Sequence, residues 1–599
     1  MDERMVKEWL SYPYDAEAIS RKKKRIKRLL LERDVKWIDK KIAVLTGSTA
    51  NEIVDEMELF LLSEGIRPQF YLSEYDKYYE DAVFGNPELD AFAPDIVFVH
   101  TTSRNIKLWP STGLSAEEID QLLQREFGRF VQVWEGISDR FKCPIIQNNF
   151  ERPEYRLFGN KDVYDIHGKH NFVYRLNGLL YQYANEHENF FINDVDYASA
   201  AFGLDAWQDA QVWYLYKYAM SLKAIPEFAH SVTKIIKSIY GRNKKVLTLD
   251  LDNTMWGGIV GDDGVDGLHI GNELPEDEAY LAFQKYIKEQ KQIGVVLTID
   301  SKNDEENAID GLNHPDGAVT PDDFVCIKAN WNPKSINLEE TATELNLGID
   351  SFVFIDDNPA EREIIKGQLP TVSVPDVTTP EEYIRYIDKG GYFEVTNLTK
   401  EDLNKSEMYK ANVQRAQSEK KFADYGEYLK SLEMTAVIKS FDDPHIQRIA
   451  QLTNKTNQFN LTTKRYSEAD IVNIKEDDNY VKLYGRLLDK FGDNGLVSVV
   501  FGHKNGEELD IDLWLMSCRV LKRDFEYAML DCLVADCQEQ GLKRLRGHYY
   551  PTAKNKMVKE MFAEMGFDKV SEDEEGNTEW ILELEGYQNQ NKIIEDVER

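Results

Sequence analysis

Apolar and polar positions along this chain fall into two rhythms. Ile42-Ala-Val-Leu-Thr46, Asp95-Ile-Val-Phe-Val-His100, Cys143-Pro-Ile-Ile-Gln147, Val246-Leu-Thr-Leu249, Val295-Val-Leu-Thr-Ile299 and Ser351-Phe-Val-Phe-Ile355 are short apolar runs without alternation. Such runs predict strands buried on both faces. Between them, Glu52–Glu64 has an amphipathic helical pattern, and helices are predicted around Glu278–Gln292 and Leu338–Leu347. Strands alternating with helices argue for parallel, doubly wound sheets. Residues 202–240 form an aromatic-rich helical stretch leading into the central strand. Further on, Gly495–Phe501 and Glu508–Met516 read as strands, with a helix around Glu526–Gln540.

These patterns divide the chain at residues 1–240, 241–380, 381–433 (a charged helical connector), 434–586 and 587–599. The last is a polar tail expected to fray. A length of 599 residues suits three or four domains.

Charge changes the picture next. The net charge of −34 opposes nucleic acid or an anionic membrane face as the main partner. One local exception is Arg21–Arg28, where only Ile26 is not basic; it reads as a solvated helix face. Five scattered cysteines offer neither a disulfide framework nor paired zinc ligands. The opening MDERMVKEWL has no signal-peptide core, and no apolar run reaches spanning length. The expectation is a soluble, cytoplasmic protein.

The chemistry gathers at strand ends. The central strand runs into Asp250-Leu-Asp252-Asn253-Thr254, with two carboxylates spaced to share one side of an extended backbone. Ser301-Lys302-Asn303-Asp304 follows the next central strand, Lys334 opens a helix after Trp331-Asn-Pro, and Asp356-Asp357-Asn358-Pro359 follows Ile355. Acids from two strands suit a hard cation such as Mg²⁺. A lysine and a hydroxyl neutralise phosphoryl oxygens, and a carboxylate can attack phosphorus. About 46 residues separate Thr254 from Ser301 and about 32 separate Ser301 from Lys334. The core helices and short connections largely use these up, so no large cap domain fits and an open site is expected.

In order and placement these segments resemble the four motifs of the haloacid-dehalogenase (HAD) superfamily. The resemblance narrows at Leu249-Asp-Leu-Asp-Asn-Thr-Met-Trp-Gly-Gly-Ile-Val-Gly-Asp-Asp-Gly264, Ser301–Asp304 and Ile355–Pro359 to the FkbH-like subfamily. Leu488–Gly495, Met516–Arg523 and Pro551–Asn555 fit it too. The resemblance implies an α/β protein of three domains: a Rossmann-like HAD core, flanked by an SGNH-hydrolase-like α/β domain and a GNAT-like α+β domain. It implies Asp250 as nucleophile, Asp252 as acid/base, and Ser301 and Lys334 as phosphoryl-holding catalytic residues. Asn253, Thr254, Lys302 and Asn303 would line the substrate. Mg²⁺ would lie among Asp250, the Asp252 carbonyl, Asp356 and Asp357. The implied function is dephosphorylation of 1,3-bisphosphoglycerate, or a similar small phosphorylated acyl donor, and loading of a glyceryl unit on the phosphopantetheine arm of an acyl carrier protein for natural-product assembly. Many relatives carry a cysteine just before the Ser-Lys-Asn segment; here that residue is Asp300.

The flanking segments are read residue by residue. Gly47-Ser48 resembles an SGNH nucleophile block, with Asn105 after the following strand and Asn148-Asn149 beside the same cleft. No histidine falls in Tyr216–Pro226, where the late base is expected, and His230 sits in a helical pattern. This domain is therefore read as non-hydrolytic. In the third domain Arg519 and Arg523 precede a helix start where phosphopantetheine or coenzyme A would bind. Lys522, Lys543, Arg544 and Arg546 extend the basic cluster, while Lys522 and Asp524 stand where glycines are expected. Cys518 reads as a core residue. Two other readings remain: a phosphatase for a small sugar or acid phosphate, and a non-enzymatic carrier-docking scaffold.

Overall fold

Unbroken runs of valine, isoleucine and leucine are stable in a sheet only when both faces are covered. The computed structural model describes residues 2–35, 37–419, 421–456, 458–552 and 554–599. It divides into two compact units, Met1–Ile239 and Tyr240–Arg599.

In the first unit β1 (Ile38–Thr46), β2 (Ile66–Leu72), β3 (Ile96–His100), β4 (Ile145–Asn148) and β5 (Phe190–Asn193) form a parallel sheet of order β2-β1-β3-β4-β5. The order reverses beside β1, so the carboxyl ends of β1 and β3 meet at a topological switch point. Ala43, Leu45, Val97 and Val99 pack there on Phe130, Trp134, Phe150 and Phe172. The basic face of the helix Ala16–Leu31 is partly neutralised rather than left to solvent: Lys23 bonds Glu52 at 2.8 Å and Asp55 at 2.7 Å, and Lys27 pairs with Glu58 at 2.6 Å. The aromatic stretch breaks into the helices Leu204–Trp207, Ala210–Tyr216 and Ile225–Ile239. Lys217, at φ +61°, ends the second of these.

The second unit holds β6 (Val246–Leu249), β7 (Val296–Ser301), β8 (Cys326–Ala329) and β9 (Phe352–Ile355) in a parallel sheet of order β8-β7-β6-β9. The strand period of two divides its apolar residues between two cores. Leu247, Leu249, Val353 and Ile355 face one core, and Val246, Phe352 and Phe354 the other. The segment from Pro359 to Ser431 is helical in pieces.

The same unit carries β10 (Thr435–Ser440), β11 (Phe459–Asn460), β12 (Tyr480–Asp489), β13 (Gly492–Asn505), β14 (Glu508–Met516), β15 (Arg544–Tyr549), β16 (Asp568–Glu572), β17 (Thr578–Glu583) and β18 (Asp596–Glu598). The order is β16-β17-β15-β14-β13-β12-β10-β18, with β11 on β14. The parallel pair β14–β15 is joined over the helix Phe525–Glu539 in an otherwise largely antiparallel sheet, a GNAT-like α+β arrangement. The polar tail does not fray. Residues 596–598 pair with β10 while Ile594 is buried. Among the described residues no helix is long and apolar enough to cross a membrane.

Candidate active site

β6 and β9 are register neighbours, Leu249 opposite Ile355, so the acids that follow both strands leave the sheet side by side. The amide of Asp250 donates to the Ile355 carbonyl at 3.0 Å, which fixes the backbone at the exit. The chain then turns tightly. Asn253 adopts φ +56°, and its side-chain oxygen accepts from the amide of Gly258 at 3.0 Å. The buried Thr254 hydroxyl accepts from the amide of Asp357 at 3.1 Å, tying the two acidic loops together.

One carboxylate oxygen each from Asp250, Asp356 and Asp357 lies within 4.8 Å of the others. This trio fits a divalent cation, because three carboxylates converge there and the Lys334 ammonium beside them balances only one of their charges. Lys334, at the first turn of the helix Lys334–Glu344, is buried and places its ammonium 3.0 Å from Asp250 and 2.6 Å from Asp356. Asp252 shares the loop, but its side chain belongs elsewhere. Oδ1 accepts from the Trp256 indole and the Val260 amide, both at 3.0 Å, and Oδ2 accepts from Asn303 at 2.9 Å. Its carboxylate is not in the acidic trio, which leaves the Asp252 carbonyl as the expected contribution to a metal. Ser301 is buried at the end of β7. Lys302 turns to the rim, where it pairs with Glu361 at 2.6 Å.

Electrostatics separates the acids. Burial raises the pKa of Asp252, against hydrogen bonds from Val260 and Trp256, and Asp250 pushes the same way. Asp356 and Asp357 are also held up, first by burial and then by repulsion from Asp250. Asp300 is pushed to about 7 by burial; Asn337 donates to its Oδ1 at 2.9 Å, and its Oδ2 has no partner. The motif pattern did not reveal the supporting residues. Arg362 grips the Asp356 and Asp357 carbonyls at 2.8 and 2.7 Å, and the Tyr280 and Tyr383 hydroxyls donate to the Asn253 carbonyl. Their only sequence signal was polar tips on otherwise apolar faces.

Residues 41–237 match the family profile described as FkbH, N-terminal domain. The part of the chain resembling a crystal structure of the N-terminal part of BF1531 from Bacteroides fragilis, containing a phosphatase domain complexed with Mg, is 63% of its length. That similarity covers 99% of the BF1531 chain at 27% identity and a TM-score of 0.58. Over residues 41–237 the chain is similar to the FkbH N-terminal domain family. Smaller matches include the GNAT domain of S. lividans PAT (17% identity, 24% of this chain and 89% of that one, TM-score 0.21). Another is the ribosomal-protein-S18-alanine N-acetyltransferase of Escherichia coli (11%, 26% and 99%, TM-score 0.21). No curated protein matches the chain.

In the first unit the structure supplies a histidine that the late-block search missed. Parallel pairing of β1 with β3 sets Thr46 opposite His100, and Ser48 Oγ lies 3.1 Å from His100 Nε2. Asn148 Nδ2 donates to His100 Nδ1 at 3.0 Å and to the Thr101 carbonyl at 3.1 Å. Because Nδ1 accepts, the proton sits on Nε2, and His100 donates to the serine instead of drawing its proton. A hydrolytic triad needs the opposite polarity. Ser48, His100 and Asn148 are fully buried, and burial lowers His100 to about 4. Asn105 is also where the block pattern set it, with Nδ2 2.8 Å from the Gly47 carbonyl; a side chain on Gly47 would collide with that amide. Asn149 instead caps the segment after β5 through the amides of Val195 and Asp196. His230 is packed, with Nδ1 2.6 Å from the Tyr14 hydroxyl.

The basic cluster of the third sheet dissolves into internal pairs. Arg523 is buried on Asp489 at 2.9 Å, the Arg519 carbonyl at 2.6 Å and Asn412 at 3.2 Å. Arg519 is also buried, against Ser517 and Met408. Lys543 pairs with Glu507, Arg544 with Glu508, and Arg546 with Glu508 and Glu579. Arg519 and Arg523 therefore face inward and present no open cationic face at the helix start. Beyond Asp510 and Arg546, β14 and β15 part, and the chain's own Leu461 bridges them. Its amide donates to the Trp514 carbonyl at 3.1 Å and its carbonyl accepts from Tyr550 at 2.9 Å. Cys518 packs against the second-sheet core and accepts through its carbonyl from Asn346.

Proposed function

We propose that this FkbH-like chain is a Mg²⁺-dependent phosphatase whose substrate is a small phosphorylated acyl compound of the 1,3-bisphosphoglycerate kind. The observation that carries the reading is the convergence of Asp250, Asp356 and Asp357 with Lys334 at the ends of β6 and β9. The Mg-containing phosphatase domain of BF1531 supports it.

In this reading an Asp250 oxygen attacks phosphorus and the bond from phosphorus to the leaving oxygen breaks. Asp252, whose raised pKa favours the acid form, gives its proton to that oxygen. Asp252 then takes a proton from water, the water oxygen attacks the aspartyl-phosphate phosphorus, and inorganic phosphate leaves with Asp250 restored. Lys334 and Ser301 hold the phosphoryl oxygens. A cation held by Asp250, the Asp252 carbonyl, Asp356 and Asp357 would supply charge neutralisation at those oxygens.

Transfer of the glyceryl unit to an acyl carrier protein is the second half of the proposal. The short connections between β6, β7 and β8, which hold only helices and turns, support an open site that a tethered substrate can enter. A purely hydrolytic reading, on a small sugar or acid phosphate, is favoured by one observation: the residue before Ser301 is a buried aspartate bonded to Asn337 rather than a thiol. Incubation with 1,3-bisphosphoglycerate, Mg²⁺ and carrier proteins, followed by phosphate assay and intact carrier mass, separates the two. Phosphate with a glyceryl mass gain supports transfer, and phosphate alone supports hydrolysis. Absence of phosphate release from a panel of acyl, sugar and acid phosphates would reject the enzyme.

A further inference from the structure

Tryptophan carries a large apolar ring system, and nine of the chain's ten tryptophans are buried or half-buried. The exception is Trp331, with 71% of its surface open, on the loop between β8 and the helix Lys334–Glu344. Among the described residues no ring or cation lies over it.

The exposed indole is nonetheless held in place. Its N–H donates to Asp304 Oδ1 at 2.9 Å. The Asn330 amide donates to the Ser301 carbonyl at 3.1 Å. Asn330 Oδ1 accepts from the Asn332 amide and from Asn337 Nδ2, both at 3.0 Å. Pro333, with its fixed φ, closes the loop. A ring fixed in this way has already lost the freedom that a ligand would otherwise have to remove.

The loop stands at the mouth of the phosphoryl site. Asp304 ends the block that begins at Ser301, and Asn303 beside it donates to Asp252 at 2.9 Å. Lys334, three residues after the tryptophan, reaches Asp250 at 3.0 Å, and three residues span no more than about 11 Å.

The chemistry of the rim decides what it selects. A phosphoryl group, being all charge, gains nothing from an indole face. A hydroxyl-rich ligand would find three neighbouring polar side chains already committed. Asn303 bonds Asp252 and the Asp304 amide, Asn330 bonds Asn332 and Asn337, and Asp304 bonds the indole itself. An extended chain of amides and methyl groups gains most, because its C–H groups pack on the ring while its amides stay in water. Building on the carrier reading above, we propose that Trp331 is a specificity-determining residue, the platform on which a pantetheine arm lies as its end enters the phosphoryl site.

Nitrogen-15 spectra of the indole N–H groups in the full chain test this. The Trp331 signal is identified by its loss in Trp331→Phe. Free pantetheine should shift that signal, and glucose should not. Trp331→Ala removes an exposed side chain and should melt within about 2 °C of wild type. It should weaken pantetheine binding, read by saturation-transfer difference, by roughly tenfold or more. Trp331→Phe should keep that binding within about threefold, because the ring face makes the contact. Equal loss in both variants would assign Trp331 to anchoring the loop through Asp304 and overturn the proposal. A Trp331 signal unmoved by pantetheine, or moved by glucose instead, overturns it too. Acetyl phosphate turnover by wild type, measured separately, tests the phosphatase reading on its own.

Discussion

Lys334 stands 2.6 Å from Asp356 and reaches Asp250 at 3.0 Å with the same ammonium. One cation thus restrains the proposed nucleophile and a proposed metal ligand together. Burial lowers the lysine pKa, but the two carboxylates outweigh it and the net shift is upward. Replacing Lys334 with alanine leaves two buried acids facing each other. Phosphate release should fall about 10²–10³-fold, and unfolding free energy by about 3–5 kcal/mol. Steady-state kinetics and urea melts read the two effects; an unchanged rate would remove Lys334 from the phosphoryl site.

Asp250→Asn keeps the shape of the side chain and removes the attacking charge. Phosphate release should drop at least about a thousandfold. The melting temperature should hold or rise, since a like-charge contact with Asp356 and Asp357 is relieved. Residual release near the wild-type rate would assign attack to another group.

Chelation should abolish phosphate release, and added Mg²⁺ should restore it. The raised pKa values of Asp356 and Asp357 give this a pH signature: protons compete with the cation, so apparent Mg²⁺ affinity should weaken as pH falls from 7 to 5. Magnesium titrations of activity at fixed pH values measure it. A flat profile would mean that these carboxylates do not titrate with the metal.

Asp300 should make stability depend on pH with the less common sign. Its folded pKa of about 7 lies above the unfolded value of about 3.9, so between these values the native state holds a proton that the unfolded state has released. The stabilisation is present at low pH and lost as pH rises through 7, at no more than about 1.4 kcal/mol per unit. Asp300→Asn should therefore raise the melting temperature relative to wild type more at pH 8 than at pH 5. Equal shifts at both values would contradict the assignment.

Ser48 should behave as a structural acceptor. Ser48→Ala orphans the His100 Nε2–H and should cost about 1–3 kcal/mol without altering phosphate release. Wild type should resist a fluorophosphonate probe. Labelling at Ser48 would show that the histidine can act as a base after all.

What the sequence revealed follows from burial. Strands covered on both faces leave unbroken apolar runs, and the acids that end β6 and β9 stand out against them. Strands of mixed polarity leave no such mark. β2 reads Ile-Arg-Pro-Gln-Phe-Tyr-Leu and β8 Cys-Ile-Lys-Ala, each half-polar and paired on one side only, so neither was predicted. His100 escaped because its meeting with Ser48 depends on two strands 52 residues apart lying in register. Arg519 and Arg523 looked like surface cations because Met408, against Arg519, and Asn412 and Asp489, against Arg523, come from distant segments. A run of charges does not disclose which way its side chains turn.

The pairing of β18 with β10 covers Thr435–Val437, half of an edge strand. An uncovered β10 would offer a row of free amides and carbonyls to the next molecule, a template for strand-by-strand polymerisation. Residues 596–598 occupy half of that row, at Thr435–Val437, and set there a rim of Asp596 and Glu598, whose like charges oppose docking of a second acidic rim. Chains shortened before Ile594 should therefore lose colloidal stability at concentration, through fibre-like association, before they lose any chemistry at Asp250.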